Sequence, residues 1–118
     1  PPAFWHHHQF VALEAKVAIH TAPNDDMARQ RLRKEGGAWL RQCREEAGLS
    51  QRELAERVDV GYYTFVSQIE AGRGRIPAER YSVWAKALGM NARDFVRNIM
   101  AFYEPTTYDI LFGKDESA

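Results

Sequence analysis

Residues 48–74 read GLSQRELAERVDVGYYTFVSQIEAGRG, and this stretch decides the fold. The four residues SQRE at positions 50–53 match a capping box, in which the serine hydroxyl caps the third helical amide and the glutamate reaches back. A short helix with an inward apolar face follows, and a turn over residues 59–61 ends it. A second short helix ends at Gly72. The stretch therefore predicts two short helices joined by a tight turn.

Both short helices need neighbours, because a helix of about nine residues is not stable alone in water. A preceding helix, closed by Gly48, is indicated by an apolar stripe of Trp39, Leu40, Cys43 and Ala47. Two later helices are predicted after Pro77 and after Asn91. We expect a shared core of Leu54, Val58, Val66, Ile69, Trp84 and Leu88. Strand signals are almost absent, so the fold class is all-α, a compact five-helix domain with N- and C-terminal extensions.

The extensions divide the chain into residues 1–34, 35–103 and 104–118. Apolar residues with partly helical spacing predict a helix over residues 10–19, and Asn24 is a candidate cap for another helix. Gly36-Gly37 predicts a bend or break, since each glycine costs about 1 kcal/mol in a helix relative to alanine. Pro105 is expected to end the last core helix, leaving an apolar cluster and a polar tail.

Charge is distributed unevenly although the net charge is zero. Residues 27–84 carry eleven Lys/Arg against eight Asp/Glu, whereas residues 1–26 and 85–118 are slightly acidic. No apolar run approaches the roughly eighteen residues of a membrane span, so no membrane association is expected. The single cysteine, Cys43, cannot form an internal disulfide, which favours a reducing compartment such as the cytoplasm.

An enzyme is not indicated by any motif in the chain. Three of the four histidines are consecutive at positions 6–8, and we interpret them as a solvated run or a tag remnant rather than a metal site. Zinc-type Cys/His spacing, a phosphate-binding glycine loop and a nucleophile elbow are missing from the sequence. Cys43 falls on the inward stripe of its helix, which favours a buried thiol. We therefore expect no catalytic residue, metal or cofactor.

Three segments of the sequence, GLSQRELAERVDV, SQIEAGRGRIP and WAKALGM, together resemble the Cro/C1-type helix-turn-helix family of bacterial and phage regulators, also called XRE-like. The resemblance covers about residues 38–98. It includes the glycine before the capped helix, the Leu-Ala pair, the Ile-Glu-x-Gly-Arg exit, the proline and the closing Ala-Leu-Gly. It implies a transcriptional regulator associated with the bacterial nucleoid, which reads the major groove of double-stranded DNA with the helix around residues 63–71.

The resemblance also implies site residues. By position, the side chains that face bases are Tyr63, Thr64, Ser67 and Gln68. Those near the DNA backbone are Ser50, Gln51, Tyr62, Arg73 and Arg75. Gln68 is chemically the best base reader, because its amide can pair with two atoms on an adenine edge. The alternatives are tyrosines that only staple the turn, a solvated helix face for Gln68 and a solvated basic loop.

Two further features follow from the same resemblance. Arg44 and Glu70 match a pair that commonly joins two helices in this family, a structural role that would orient the reading helix. The chain has one residue more than the usual pattern between Val60 and Ile69, which we expect Gly61 to absorb. This insertion shifts the start of the reading helix, so the positions of the two tyrosines are affected most.

Family members usually bind as homodimers on half-sites about 34 Å apart, and we expect the same here. More apolar side chains lie near the C-terminus than one small domain needs, and we assign to a dimer interface Phe95, Ile99, Phe102, Tyr103, Tyr108, Leu111 and Phe112. The alternative is that the tail folds back onto its own core. A rival function is an antitoxin or other interaction module, whose terminal extension binds a protein partner.

Overall fold

The computed structural model describes residues 25–59 and 61–113. In these residues the elements follow in the order α1 (Asp25–Glu46), α2 (Gln51–Arg57), α3 (Tyr63–Glu70), a 3₁₀-helix (Ala78–Arg80), α4 (Tyr81–Ala87), α5 (Ala92–Tyr103) and α6 (Pro105–Phe112). No strand occurs in the described residues, and the all-α prediction is confirmed. Among these helices, none combines the length and the apolar character that crossing a membrane requires. The helix predicted over residues 10–19, the Asn24 cap and the three histidines lie outside the described residues.

α1 continues without interruption through Gly36 and Gly37, where the sequence predicted a bend or break. Both glycines are buried where other parts of the chain approach most closely. A Cβ atom on Gly36 would lie 2.9 Å from the Cβ of Phe102, and one on Gly37 would lie 2.3 Å from the carbonyl oxygen of Glu70. The glycines therefore allow tight packing, and that packing outweighs about 2 kcal/mol of lost helix propensity. The boundary drawn after residue 34 falls inside this single helix.

One hydrophobic core contains side chains from all five helices α1, α2, α3, α4 and α5. All six residues of the predicted core are buried in it. The indole of Trp39 lies at its centre, with ring centroids 5.7 Å from Phe95 and 6.1 Å from Phe102. Because each large apolar side chain contributes about 1.5–3 kcal/mol on burial, this core is what holds the two short helices in place.

The C-terminal segment is more ordered than the sequence predicted. Pro105 ends α5 but also begins α6, since proline at the first helical position needs no backbone N–H and has a suitable φ. The helix continues to Phe112, so the expected apolar cluster is one face of a helix. Tyr108 anchors α6 in a small second cluster with Ala101.

The structure corrects the proposed dimer interface. Five of the seven assigned side chains are packed inside their own chain, with exposures of 0–7%: Phe95, Ile99, Phe102, Tyr103 and Tyr108. This is the intramolecular alternative: four of the five lie in the main core, and Tyr108 is buried in the small cluster with Ala101. Of the seven, Leu111 and Phe112 remain at the surface, 61% and 40% exposed.

Candidate nucleic-acid interface

The start of α2 is defined by the predicted capping box. The Ser50 hydroxyl accepts a hydrogen bond from the Glu53 backbone N–H at 3.0 Å, and the Glu53 carboxylate accepts one from the Ser50 N–H at 2.8 Å. Hydrogen bonding of the Glu53 carboxylate with the Ser50 backbone, and also with the Ser50 side chain, lowers the pKa of Glu53. Ser50 therefore has a structural role at this helix start, and any contact with a phosphate would add to it.

Of the described residues in the turn between α2 and α3, two have positive φ, Asp59 at 58° and Gly61 at 74°. Such backbone is easiest for glycine, and Gly61 lies where the chain exceeds the family pattern by one residue. The Arg80 side chain stabilises the end of α2, just before this turn, by donating a hydrogen bond to the Val58 carbonyl. α3 begins after this turn, so Tyr62 is its N-cap residue, with extended backbone, and Tyr63 is its first helical residue.

α3 has one buried face and one exposed face. Its buried residues are Val66, Ile69 and Glu70. Its exposed side chains, together with the N-cap residue, form what we call the α3 surface: Tyr62, Tyr63, Thr64, Phe65 and Gln68. Ser67 is half-buried at the edge of this surface. Four of the five members were predicted as DNA contacts, and Phe65 was missed although it lies three residues before Gln68 on the same side of the helix.

A buried ion pair holds α3 against α1, at the positions that the resemblance indicated. The Nε atom of Arg44 lies 2.7 Å from Glu70 Oε2, and its Nη2 atom lies 3.1 Å from Glu70 Oε1. Arg44 also donates to the Leu49 carbonyl at 2.8 Å. The two side chains are only 9% and 4% exposed. This two-pronged geometry fixes the rotation of α3, and thereby the direction in which its outer face points.

Gln51 joins this buried network instead of pointing outward. Its amide nitrogen donates to Glu70 Oε1 at 3.0 Å, and the side chain is half-buried. The side chain that the sequence assigned to the DNA backbone thus contacts the ion pair that orients α3. Its backbone N–H still lies in the first turn of α2.

The two tyrosines at the start of α3 differ in their surroundings. Tyr62 is 76% exposed, so its ring extends into solvent. Tyr63 is 45% exposed, and the Arg52 guanidinium carbon lies 4.9 Å from its ring centroid. That cation–π contact links α2 to α3 across the turn. Tyr63 therefore both staples the turn and keeps part of its ring exposed on the α3 surface.

Arg73 and Arg75 were assigned the same role from the sequence, but their contacts in the structure differ. Arg73 is exposed, and its backbone N–H donates to the Gln68 carbonyl at 2.9 Å, which ties the loop to the end of α3. The Arg75 guanidinium lies 4.6 Å from the Tyr103 ring centroid and 3.3 Å from a Glu104 carboxylate oxygen. The side chain of Arg75 therefore lies against the C-terminal end of α5.

A helix-turn-helix family model matches residues 40–95. Residues 40–95 form a Cro/C1-type helix-turn-helix domain. A helix-turn-helix domain of this kind is a DNA-binding regulatory domain, and α2 and α3 are its two characteristic helices. No curated protein and no solved structure matched the chain.

In the described residues, metal-ligating side chains are not clustered and the one cysteine is buried. In residues 25–59 and 61–113, no group of three or more His, Cys, Asp or Glu side chains is placed to hold a metal ion. Cys43 is 7% exposed, and burial raises the pKa of its thiol to about 12. At such a pKa almost no thiolate forms at neutral pH, which is the state a nucleophile would need.

Proposed function

We propose that the chain is a sequence-specific transcriptional regulator that inserts the α3 surface into the major groove of double-stranded DNA and acts as a homodimer. The observation that carries this proposal is the orientation of α3. Its inner face is locked by the Arg44–Glu70 pair, and its outer face presents hydrogen-bonding side chains with Arg73 beside them. The major groove is about 12 Å wide and admits a helix in this way.

The side chains of the α3 surface suit base edges. Gln68 can donate to and accept from adenine simultaneously, and Thr64 can form a single hydrogen bond with a base or a phosphate. The rings of Tyr63 and Phe65 can pack against thymine methyl groups. Ser67, half-buried at the margin, is the remaining candidate base reader. Together these groups supply discrimination between sequences.

Affinity that is independent of sequence comes from groups beside α3. Arg73 is the leading candidate, because it is an exposed cation in a loop whose backbone is bonded to the end of α3. Tyr62, through its hydroxyl, and the start of α2, through the backbone at Ser50 and Gln51, complete this group. Arg75 is left out because Tyr103 and Glu104 already engage it.

The homodimer rests on the outer face of α6. We call this face the α6 surface, and it consists of Ile110, Leu111 and Phe112, which are 78%, 61% and 40% exposed. Beside it lies a groove of about 540 Å³ between α5 and α6, whose lining includes apolar side chains (Val96, Met100 and Phe112) and charged ones (Arg93, Asp94 and Arg97). Consecutive exposed apolar residues next to this groove favour a second copy, whose α6 would fill the groove of the first.

The same α6 surface supports a second candidate, an antitoxin or other interaction module that binds a different protein. The mass of the purified particle separates the two. A particle of two copies of this chain supports the regulator, whereas a particle with a second, different small protein supports the interaction module.

Titration of the full chain with random-sequence duplex at low ionic strength tests the proposal, followed by selection of bound oligonucleotides from a random pool. We expect binding to the duplex and a selected site with two related halves about 34 Å apart. Absence of any attraction to duplex DNA would overturn the proposal. Selected sites without two-fold symmetry would overturn the homodimer.

The two arginines after α3 provide a matched pair of variants for the backbone contacts. Arg73→Ala should make the slope of log affinity against log salt concentration less steep by about one unit, on all sequences alike. Arg75→Ala removes the same charge two residues away but should leave the slope unchanged. Equal slopes for Arg73→Ala and the parent chain would exclude Arg73 from phosphate binding.

A further inference from the structure

α1 extends beyond the helix-turn-helix match, and its additional turns contain four cations and three carboxylates. The match begins at residue 40, so residues 25–39 of α1 lie outside it. This segment contains Arg29, Arg31, Arg33 and Lys34. A run of charges on a helix is often no more than a solvated face. Its position relative to α3 decides whether it does more.

Glycines bring this segment of α1 against the end of α3. A Cβ atom on Gly72 would lie 2.8 Å from the Cα of Lys34, and one on Gly37 would lie 2.3 Å from the Glu70 carbonyl oxygen. Gly72 also has a φ of +81°, as the residue that follows a helix end commonly does. The backbones are therefore in direct contact, and main-chain packing holds Lys34 beside the loop that carries Arg73.

A groove of about 670 Å³ lies at this junction, and we call it the basic α1 groove. Its polar lining consists of Arg29, Gln30, Arg33, Lys34 and Arg73. Four of these are cations, and no carboxylate lines the groove. Such a concentration of one charge in a protein with zero net charge is a local feature, which neither the composition nor the family match reveals.

The cations of the groove are only weakly compensated within the described residues. Arg29 lies 3.7 Å from Asp26, but the two side chains are 58% and 88% exposed, so the pair contributes little. The Arg33 guanidinium carbon lies 5.4 Å from the Tyr103 ring centroid, a contact that leaves its charge intact. Lys34 and Arg73 form no ion pair with any carboxylate in residues 25–59 and 61–113.

We propose that the basic α1 groove binds phosphates of the same DNA duplex whose bases the α3 surface reads. The inference rests on the proposed function and extends the DNA interface from Arg73 onto the part of α1 that precedes residue 40. Four neighbouring cations repel one another, and a polyanion relieves that repulsion. A duplex carries one negative charge per about 1.7 Å of its axis, so a strand that contacts Arg73 offers further phosphates along the groove.

The groups of the groove suit phosphate and do not suit base reading. Arginine, lysine and glutamine side chains donate hydrogen bonds to phosphate oxygens, and such contacts set position and affinity without reading sequence. Tyr103 supports the Arg33 guanidinium from below, which reduces the number of orientations that binding must restrict. The groove therefore contributes to binding on every sequence.

The test compares two double variants of the full chain that remove the same charge. Arg29→Gln/Lys34→Gln alters the basic α1 groove. Arg41→Gln/Lys86→Gln is the matched control, since it also removes one arginine and one lysine, and both side chains are exposed and line neither groove. Affinity for a random-sequence duplex is measured across a range of salt concentrations. Circular dichroism melts establish that each variant is folded, and Arg29→Gln alone serves as the readout if the double variant is not.

For the groove variant we expect a salt slope less steep by about two units, since each phosphate contact contributes about 0.9. Between about 50 and 200 mM salt, the factor by which affinity falls should then be about 12 times smaller for the groove variant than for the parent chain. Arg29→Gln alone should reduce the slope by about one unit. The control should keep the parent slope.

Two results separate the groove from the proposed function. If the parent chain binds duplex but the groove variant keeps the parent slope, or changes it no more than the control does, the groove inference is overturned and the proposed function stands. If the parent chain binds no duplex at about 50 mM salt, the proposed function fails and the groove inference fails with it.

Discussion

The α3 surface and the α6 surface both expose large apolar side chains, but their chemical surroundings differ. On α3, aromatic rings alternate with Thr64 and Gln68, and the cation of Arg73 lies at the end of the helix. On α6, three apolar residues are consecutive. Exposure alone therefore does not identify a partner. Rings next to hydrogen-bonding groups suit base edges, whereas a continuous apolar strip suits another protein surface.

The two helices also differ in how they are anchored. α3 is held by two core residues and by the buried Arg44–Glu70 pair. α6 has one buried residue, Tyr108, in a small cluster separate from the main core. A helix that must present several side chains to base edges needs a fixed rotation, and the deeper anchorage supplies it. A helix that packs against another protein gains part of its anchorage from that partner.

The largest effect is expected when the anchor of α3 is removed. Glu70→Ala leaves the buried Arg44 charge without its partner, which should reduce the free energy of unfolding by about 3–5 kcal/mol. Glu104→Ala is the control, because its partner Arg75 is 36% exposed and the pair contributes at most about 1 kcal/mol. Chemical denaturation measures both. Equal losses in the two variants would show that burial of the first pair has no special role.

A slightly smaller effect is expected at the glycine where α1 approaches α3. Gly37→Ala places a Cβ against the Glu70 backbone and should destabilise the chain by about 1–3 kcal/mol, although alanine favours helix. Gly74→Ala is the control, since the nearest atom to its Cβ would be 3.9 Å away. Thermal melts report the sign directly. A rise in melting temperature for Gly37→Ala would mean that the close approach is not required.

The base-reading role of α3 is tested by its most specific side chain. Gln68→Ala should weaken binding to the selected site by about 1–3 kcal/mol and leave binding to random duplex nearly unchanged, because only base contacts distinguish the two. Ser82→Ala, at an exposed position of α4, is the control. Competition binding with both duplexes measures the ratio. The same loss on both duplexes would contradict base reading by Gln68.

The smallest effect is expected at the α6 surface. Leu111→Ser should raise the dissociation constant of the proposed homodimer about tenfold, about 1.4 kcal/mol, because each copy would lose apolar surface at the interface. Val83→Ser, on an exposed position of α4, should leave it unchanged. Sedimentation or light scattering over a concentration series measures the constant. An unchanged constant for Leu111→Ser would place the dimer contact elsewhere.

Much of the helix-turn-helix region was predictable because its signals are local. The capping box lies within four residues, and the inward positions of α2 and α3 follow from helical spacing. The Arg44–Glu70 contact came from the resemblance, and the structure contains it. Gln51 could not be placed in the same network from its position alone, because its contact with Glu70 depends on how the helices meet.

Other features could not be predicted because they depend on residues far apart in the chain. Gly36 and Gly37 were interpreted as a bend or break, because helix propensity depends only on the local sequence. It contains no information about Phe102 and Glu70, which lie against these glycines. Arg75 was assigned the same role as Arg73, but its guanidinium packs against the Tyr103 ring. Of the seven residues assigned to a dimer, four are buried in the main core and Tyr108 is buried in the small cluster with Ala101.

Short-range patterning was thus sufficient for the helical class and for the start and inner face of α2 and α3. The members of the α3 surface other than Phe65 came from the family resemblance. Long-range packing decided three other features. These are the orientation of the cationic side chains, the continuity of α1 and the division of apolar side chains between core and surface. The physical reason is that helix capping and periodicity involve atoms a few residues apart, whereas burial and charge pairing depend on which distant backbones come into contact.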